Sequence, residues 1–293
     1  MATTPAQRTR RKGHKGDFRA FLWMLLPAVA LLVVTRLAPI GEAVFTSLTD
    51  PQSDGPLGVY AALVKSETFR SSLKVTLWFN LIINPLQVIA SLVLAVLLTQ
   101  NLPAVGLART VIFLPAAIPQ AVSTVVWGIA FRPSDGLANS FLQVFGISPQ
   151  PFLTSPQQAL YSIMVIASWI GVGYWMMFLI AGLREIPQSL LEAASLDGAG
   201  WWRQFFSIQL PLLKRSLSFV LVAATVANFL LFVPVQVLTD GGPAGSTNLL
   251  MHEIYRQALT FHDMPFASAQ VVVLTSITLV IVAIQFRLLR PST

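Results

Sequence analysis

Cysteine is absent from this chain of 293 residues, and charged residues make up only 11% of it. Without cysteine there is no disulfide, no thiolate metal ligand and no thiol nucleophile. Soluble domains carry roughly a quarter charged residues. So small a charged share, with 55% hydrophobic residues and a mean hydropathy of +0.69, predicts a protein that crosses a membrane several times.

Two kinds of chemical site are also missing from the sequence. No GxxxxGK[ST] phosphate-binding loop occurs, so any ATP chemistry must come from another chain. The three histidines, His14, His252 and His262, have no cluster of acidic residues around them and do not predict a metal site. We therefore expect no catalytic residues, no metal site and no cofactor in this chain.

What the chain has instead is a series of apolar segments, each long enough to cross a bilayer as a helix. We expect an all-α, polytopic membrane protein with a basic arm over residues 1–17 and a transmembrane domain over 18–290. A signal peptide also begins with basic residues, but the first apolar segment is too long for one. The six predicted spans are about 18–45, 73–98, 107–131, 159–183, 213–237 and 266–285.

The distribution of positive charge predicts how the spans are oriented. Six spans put both termini on one side, and thirteen of the 19 lysines and arginines fall there, against five on the other side and Arg36 in the first span. By the positive-inside rule the richer side is the cytoplasm. Topology therefore accounts for the net charge of +7, and we expect no nucleic acid partner.

Between the fourth and fifth spans lies a polar stretch, residues 184–212, with its own helical pattern. Pro187 is suited to open a helix and Gly198 to end one in a left-handed conformation. Trp201 and Trp202 begin a second, aromatic segment. The stretch is predicted to form a cytoplasmic docking element, with an ordinary amphipathic helix pair at the membrane surface as the alternative.

The same stretch resembles the EAA loop of ABC importer permeases. The loop that opens at Thr239 with T-D-G-G-P resembles that of the carbohydrate-uptake type, although the family usually shows glycine where Pro265 stands. The resemblance implies the type I ABC importer permease fold, in which this loop is the coupling helix that docks on an ATPase subunit. The positions that carry the implied coupling role are Glu192, Ala193, Ala194, Asp197, Gly198, Ala199, Ile208, Leu210 and Pro211.

The resemblance also implies partners and a location. These are a second homologous permease subunit, two ATPase subunits that bind ATP and magnesium, and an external solute-binding protein. The complex would lie in the cytoplasmic (inner) membrane of a bacterium or archaeon, surrounded by lipid. The Glu192 carboxylate is expected either to pair with the ATPase or to form a local hydrogen bond with the second helix of the loop.

A small set of polar and aromatic residues inside the spans forms the predicted solute pathway. Polar side chains at this depth line cavities or join helices by hydrogen bonds, and both interpretations stay open. Asn228 is the preferred solute contact, and Trp127 either stacks on a sugar or anchors the span at the membrane surface. The set is Asn80, Asn84, Gln87, Trp127, Thr225 and Asn228.

The expected function is therefore a non-catalytic permease subunit that translocates a sugar or related polyol. An ion-gradient-driven transporter is the alternative, although the spans hold almost none of the acidic residues that such proteins use. A membrane enzyme is disfavoured because no nucleophile–base pair is present. No basic cluster inside the spans marks a phosphate ester, yet glycerol-phosphate permeases share these loops, so a glycerol phosphodiester remains a candidate solute.

Overall fold

The computed structural model describes residues 15–50, 54–100 and 103–289, with side chains from Trp23 onward. Regular secondary structure within these ranges is helical throughout. Most of the predicted basic arm lies outside the described residues, and residues 15–17 form the first turn of a helix rather than part of an arm.

The described ranges contain a succession of α-helices joined by short turns. In chain order the helices are α1 Lys15–Leu32, α2 Ala38–Leu48, α3 Gly58–Lys65, α4 Glu67–Thr99, α5 Val105–Ala117, α6 Gln120–Ala130, α7 Leu137–Val144, α8 Ala159–Arg184, α9 Gln188–Leu196, α10 Trp201–Gln204, α11 Leu210–Leu212, α12 Lys214–Phe229, α13 Val233–Leu238, α14 Leu250–Tyr255 and α15 Met264–Leu288. Short π-helical segments occupy Val33–Leu37, Phe205–Gln209 and Arg256–Thr260, and a 3₁₀ turn occupies Phe152–Thr154.

Five helical segments in the described part of the chain are long and apolar enough to cross a membrane. A sixth crossing is present if α5 and α6 count as one broken span. The segments are Trp23–Leu48, Glu67–Thr99, Ala159–Arg184, Lys214–Leu238 and Met264–Leu288.

The third predicted span, 107–131, is not a single continuous helix. It consists of α5 and α6, which meet at an angle of 100°. The break falls at Ile118, whose backbone is extended at φ −85° and ψ 135°. Pro119 follows directly, and a proline disfavours helical geometry in the residue before it. Pro119 therefore accounts for the break between α5 and α6.

The second span begins earlier than expected, and the fifth span, Lys214–Leu238, keeps its expected bounds but is interrupted. Helix α4 begins at Glu67, not near residue 73, because Ser66 caps it by accepting a hydrogen bond from the backbone N–H of Phe69 at 3.3 Å. The fifth span stops at Phe229 and resumes as α13. Pro234, the second residue of α13, has no N–H to continue the helical ladder across this break.

The last span begins with a well-formed cap despite the proline at its start. The Asp263 carboxylate accepts a hydrogen bond from the backbone N–H of Phe266 at 3.0 Å. Pro265 is the second residue of α15, a position where a missing N–H costs nothing. The replacement of the family's usual glycine therefore leaves a normal helix start.

Helices α4 and α8 pack along each other, and α12 packs against both of them and against α15. Small residues bring the backbones of these helices close together. A Cβ built on Gly173 would lie 2.1 Å from the backbone oxygen of Ile112 in α5. A Cβ on Gly182 would lie 2.3 Å from the hydroxyl of Ser216 in α12. These two glycines fix the spacing of α8 from its neighbours.

Candidate functional site

A cluster of buried side-chain amides joins two helices at the centre of the molecule. Asn84 and Gln87 lie on one face of α4, and Asn228 faces them from α12. The Asn228 amide donates to Oδ1 of Asn84 at 2.7 Å and to Oε1 of Gln87 at 3.0 Å. The three side chains are between 1% and 6% exposed, so these bonds replace contacts with water.

The cluster extends along α4 and reaches α8. Asn84 donates to Oδ1 of Asn80 at 3.2 Å, and Asn80 donates to the backbone oxygen of Thr76 at 2.9 Å. On the other side Gln87 donates to the hydroxyl of Ser168 at 3.5 Å. We call the set Asn80, Asn84, Gln87 and Asn228 the amide cluster. Its members join three helices, so the interhelical interpretation of these residues has direct geometric support.

Two of the amides also border an open space. A cavity of about 800 Å³ lies between α4, α12 and α15, and Asn80 and Asn84 form part of its wall. Its size is within the range typical of small-molecule sites. We call it the amide cavity; the residues that line it are Arg70, Leu73, Lys74, Leu77, Trp78, Asn80, Leu81, Asn84, Pro85, Leu221, Phe229, Ile281 and Gln285.

The remaining two predicted pathway residues lie apart from the amide cluster. Thr225 is fully buried; its hydroxyl donates to the backbone oxygen of Leu221 at 2.8 Å and accepts from Gln285 at 2.9 Å. Trp127 lies in α6 and contacts the rings of Phe131 at 4.9 Å and Trp169 at 5.7 Å.

Trp127 lines a different space from the amides. It borders a second cavity of about 630 Å³ between α4, α5 and α8, whose wall also includes Ser168. The structure therefore brings together four of the six predicted pathway residues and places Trp127 on another side of α4.

The polar stretch between α8 and α12 folds as the sequence pattern indicated. Helix α9 follows Pro187 and ends at Gly198, whose φ is +77°. The backbone N–H of Ala199 bonds to the oxygen of Ala194 at 2.9 Å, and that of Gly198 to the oxygen of Ser195 at 3.0 Å. This pair of bonds is the Schellman motif, so α9 has a fixed end.

A side chain that sequence reasoning missed joins the two halves of this loop. The Gln204 amide donates to the hydroxyl of Ser195 at 2.9 Å and to the backbone oxygen of Ala199 at 2.8 Å. Glu192 is exposed and forms no hydrogen bond or ion pair with any residue that the structure describes. The hydrogen bond between the two helices of the loop, expected from Glu192, is thus formed by Gln204 instead. Nothing in the sequence indicated this role for Gln204.

The surface of the loop is apolar to an unusual degree. Leu196 is 90% exposed, Trp202 67% and Phe206 56%. Trp202 and Phe206 stack at 6.0 Å, which makes a continuous aromatic face. Among the other coupling positions, Ala194, Ala199, Ile208 and Leu210 are half-buried, and Ala193, Asp197 and Pro211 are exposed. Large exposed apolar groups of this kind mark contact surfaces.

At the opposite end of α4, the loop after α13 forms a second buried polar network. Both ring nitrogens of His252 lie within hydrogen-bond distance of an acceptor oxygen: Nδ1 is 2.8 Å from Oδ1 of Asn248, and Nε2 is 3.1 Å from Oδ1 of Asp240. Asn248 also donates to the hydroxyl of Ser72 at 2.9 Å, which ties the loop to α4. Burial lowers the pKa of His252, although the nearby Asp240 carboxylate acts in the opposite direction.

Sequence reasoning treated His252 only as a possible metal ligand and missed this network. The one signal in the sequence was the T-D-G-G-P pattern, which begins the loop that contains the network. Thr247 closes this loop by donating to the backbone oxygen of Gly242 at 2.7 Å. Among the described residues, no group of three or more histidines and acids is arranged to hold a metal.

The chain is similar to known membrane transport proteins over most of its length. Residues 55–293 match the family model described as binding-protein-dependent transport system inner membrane component. The sn-glycerol-3-phosphate transport system permease protein UgpA of Agrobacterium fabrum is 32% identical over 271 residues, covering 90% of this chain and 92% of the relative. The UgpA protein of Yersinia enterocolitica is 33% identical over 287 residues, covering 94% and 96%.

Solved structures give the same fold. A crystal structure of a bacterial ABC transporter involved in the import of the acidic polysaccharide alginate contains a chain that superposes with a TM-score of 0.82 at 21% identity. The match covers 95% of this chain and 97% of that one. A second structure, of the alginate transporter with a pentasaccharide-bound periplasmic protein, matches with a TM-score of 0.80.

Proposed function

The chain belongs to the family of inner membrane components of binding-protein-dependent transport systems, and from this membership we propose how it works within an ATP-driven importer. It is a permease subunit. We propose that it pairs with a second, homologous permease. Two separate ATPase subunits would bind ATP and magnesium, and an external solute-binding protein would deliver the solute.

The loop that contains α9 is the proposed contact with the ATPase. Coupling requires an element with a defined shape that touches both the motor and the spans. Helix α9 meets this requirement, because its Schellman end fixes its length and Gln204 attaches it to α10. The exposed side chains of Leu196, Trp202 and Phe206 supply an apolar face for the partner. Glu192, free of internal partners among the described residues, is available to the same surface.

The path from this loop to the amide cluster is short and helical. After α10 the chain continues through the π-helical segment Phe205–Gln209 and α11 into α12, which carries Asn228. A movement of α9 imposed by closure of the ATPases would therefore act on α12 and on the bonds from Asn228 to α4. This continuity is the observation that carries the coupling proposal. It gives a physical route by which ATP hydrolysis switches the pathway between its two openings.

The proposed solute is hydroxyl-rich, either a sugar or a glycerol phosphate. Side-chain amides both donate and accept hydrogen bonds, as solute hydroxyls require, and Asn80 and Asn84 present such groups to the amide cavity. The similar UgpA proteins are named for sn-glycerol-3-phosphate. The family assignment does not favour an ion-gradient-driven transporter.

We also propose that both termini and the α9 loop face the cytoplasm. The concentration of lysine and arginine on that side supports this orientation. ATP is available in the cytoplasm, so the α9 loop would meet the ATPase there.

Co-purification and transport assays test the proposal together. The tagged chain is expressed with its candidate permease, ATPase and binding proteins, and the purified complex is placed in liposomes. We expect the ATPases to stay bound and ATP hydrolysis to rise when the loaded binding protein is added. Uptake that follows an imposed ion gradient, with no ATPase retained, would contradict the proposal.

A further inference from the structure

Two cations lie on α4 on the side that faces the amide cavity, nearer the start of the helix than the amide cluster. Arg70 and Lys74 are four residues apart, so they lie one above the other on the helix. Both are exposed, and both line the amide cavity together with Asn80 and Asn84. They lie on the span itself because α4 begins at Glu67. They are two of the five lysines and arginines that the predicted spans place on the outer side.

The two charges lack a counterion within the described part of the chain. Neither forms an ion pair or a side-chain hydrogen bond with a described residue, including Glu67 on the same helix. Like charges at this spacing repel each other and weaken a helix. An anion bound between them would remove that repulsion.

The other described cations on the same side of the molecule lie near acidic residues. Arg132 pairs with Asp135 at 3.7 Å, and Arg256 pairs with Glu253 at 3.7 Å. Lys65 lies in a separate groove whose walls include Asp50, Asp54 and Asp263. Among the described residues on this side, Arg70 and Lys74 therefore differ in having neither an ion pair nor an acidic residue in the walls of their cavity.

The walls of the cavity strengthen the effect of these charges. Apolar side chains such as Leu77, Trp78 and Phe229 line it below Lys74, and walls of low dielectric concentrate the field of nearby charges. Deeper in the cavity, Oε1 of Gln285 is buried with no hydrogen-bond partner. A buried acceptor without a partner is unfavourable, and a hydrogen bond from a hydroxyl of a bound molecule would relieve this cost.

We propose that Arg70 and Lys74 form an anion-selecting rim on the solute pathway, which favours solutes that carry a phosphate or carboxylate group. Lys74 precedes Asn84 by ten residues, or about 15 Å of helix, so an arriving solute meets the charges first and the amides afterwards. The hydroxyls of the solute then bind Asn80, Asn84 and Gln285. This inference rests on the proposed function, since it takes the amide cavity as part of the pathway.

Uptake of a charged and a neutral probe tests the rim. The assembled complex is placed in phosphatidylcholine liposomes with ATP at the ATPase side, and uptake of sn-glycerol-3-phosphate is compared with uptake of the neutral sugar maltose. In the double variant Arg70→Gln/Lys74→Gln, we expect the ratio of charged to neutral uptake to fall at least tenfold. The control Lys65→Gln/Arg132→Gln removes the same charge elsewhere on the same side and should keep the ratio. An unchanged ratio, or an equal fall in the control, overturns the proposal.

A second arm separates a solute from a lipid headgroup, since both carry phosphate. The same variants are assayed in liposomes containing phosphatidylglycerol, and bound lipid is measured after purification. If the rim variant loses phosphatidylglycerol while its uptake ratio stays unchanged, the rim binds lipid and the proposal is overturned.

Failure of the proposed function is recognised separately, because the wild-type complex would then take up neither probe. In that case binding of sn-glycerol-3-phosphate to the full chain in phosphatidylcholine nanodiscs decides the matter. Loss of binding in the rim variant supports the rim, and equal binding overturns it.

Discussion

Asn228 in α12 donates a hydrogen bond to Asn84 in α4 at 2.7 Å, although the two residues are 144 positions apart in the chain. The bond holds together two helices beside the amide cavity. Asn84 faces both the interhelical contact and the cavity wall. The structural and functional interpretations of this residue are therefore compatible, because one side chain serves as a joint between helices and as part of a solute-facing surface.

Replacing Asn228 by alanine should destabilise the subunit. The change leaves Oδ1 of Asn84 and Oε1 of Gln87 buried without their donor, at a cost of about 1–3 kcal/mol. Thermal unfolding of the purified complex measures the loss. Ser276→Ala, which removes an exposed hydroxyl bonded within its own helix, is the control and should unfold with the wild type. Equal stability of both variants would show that the Asn228 bonds contribute little.

Gly198→Asp should abolish uptake while the subunit is still inserted. A Cβ at Gly198 meets no atom within 4 Å, so the fold has room for it. The φ of +77° is unfavourable for a residue with a side chain, by about 1–2 kcal/mol, and the end of α9 should unwind.

The matched control for this change is Gly200→Ala, two residues away. Gly200 has equal space and a φ of −67°. ATP-dependent uptake and membrane content are measured for both variants. Normal uptake by the Gly198 variant would make the coupling assignment wrong.

Gly173→Ala should lower the amount of folded protein sharply. Its new methyl group would meet the backbone oxygen of Ile112 at 2.1 Å, and backbone cannot move aside without separating α8 from α5. Overpacking of this kind costs about 1–3 kcal/mol, and sometimes more. Gly106→Ala makes the same change in α5 where nothing lies within 4 Å, and should be tolerated. Fluorescence-detected size-exclusion chromatography compares the two, and similar monodisperse yields would refute the close contact.

Acidification should loosen the outer loop around His252. Burial lowers the pKa of His252 in the folded protein, whereas in the unfolded chain the pKa of a histidine is about 6.5. The unfolded state therefore takes up the proton first as the pH falls. The stabilisation is complete above about pH 6.5 and is lost as the pH falls through the folded pKa.

Thermal stability measured between pH 7.5 and pH 5 tests this dependence. His252→Gln should flatten the profile, because the titrating ring is removed from between Asp240 and Asn248. His262→Gln changes an exposed histidine and should leave the profile as in the wild type. A profile unaffected by either change would rule out His252 as its source.

The features that sequence predicted well depend on local rules. Pro187 and Gly198 indicated the bounds of α9 because their backbone preferences need no tertiary information. Asn80, Asn84 and Gln87 are spaced by four and three residues, so helical geometry alone places them on one face. The match of residues 55–293 to the permease family confirms the fold class and function that these patterns and the EAA resemblance led us to expect.

The features that sequence did not predict depend on contacts distant in the chain. The position of Trp127 away from the amides follows from the 100° break between α5 and α6, and the size of this angle depends on packing that local sequence does not show. Gln204 belongs to a residue type that is usually exposed, so nothing in the sequence marked its contacts. The T-D-G-G-P pattern marked the loop near His252 but did not show that this histidine is buried in it. The coupling and solute-contact roles of the named residues remain predictions.

Pro85 gives helix α4 an uneven stiffness. As the one proline in this 33-residue helix, it lacks the N–H that would bond to Leu81. Asn84 lies just before this weak turn and Gln87 just after it, and both are held by the single amide of Asn228. Flexing of α4 at this turn would move Asn84 and Gln87 by different amounts relative to α12. Bending of α4 at this turn would therefore lengthen one of the two hydrogen bonds of Asn228 more than the other.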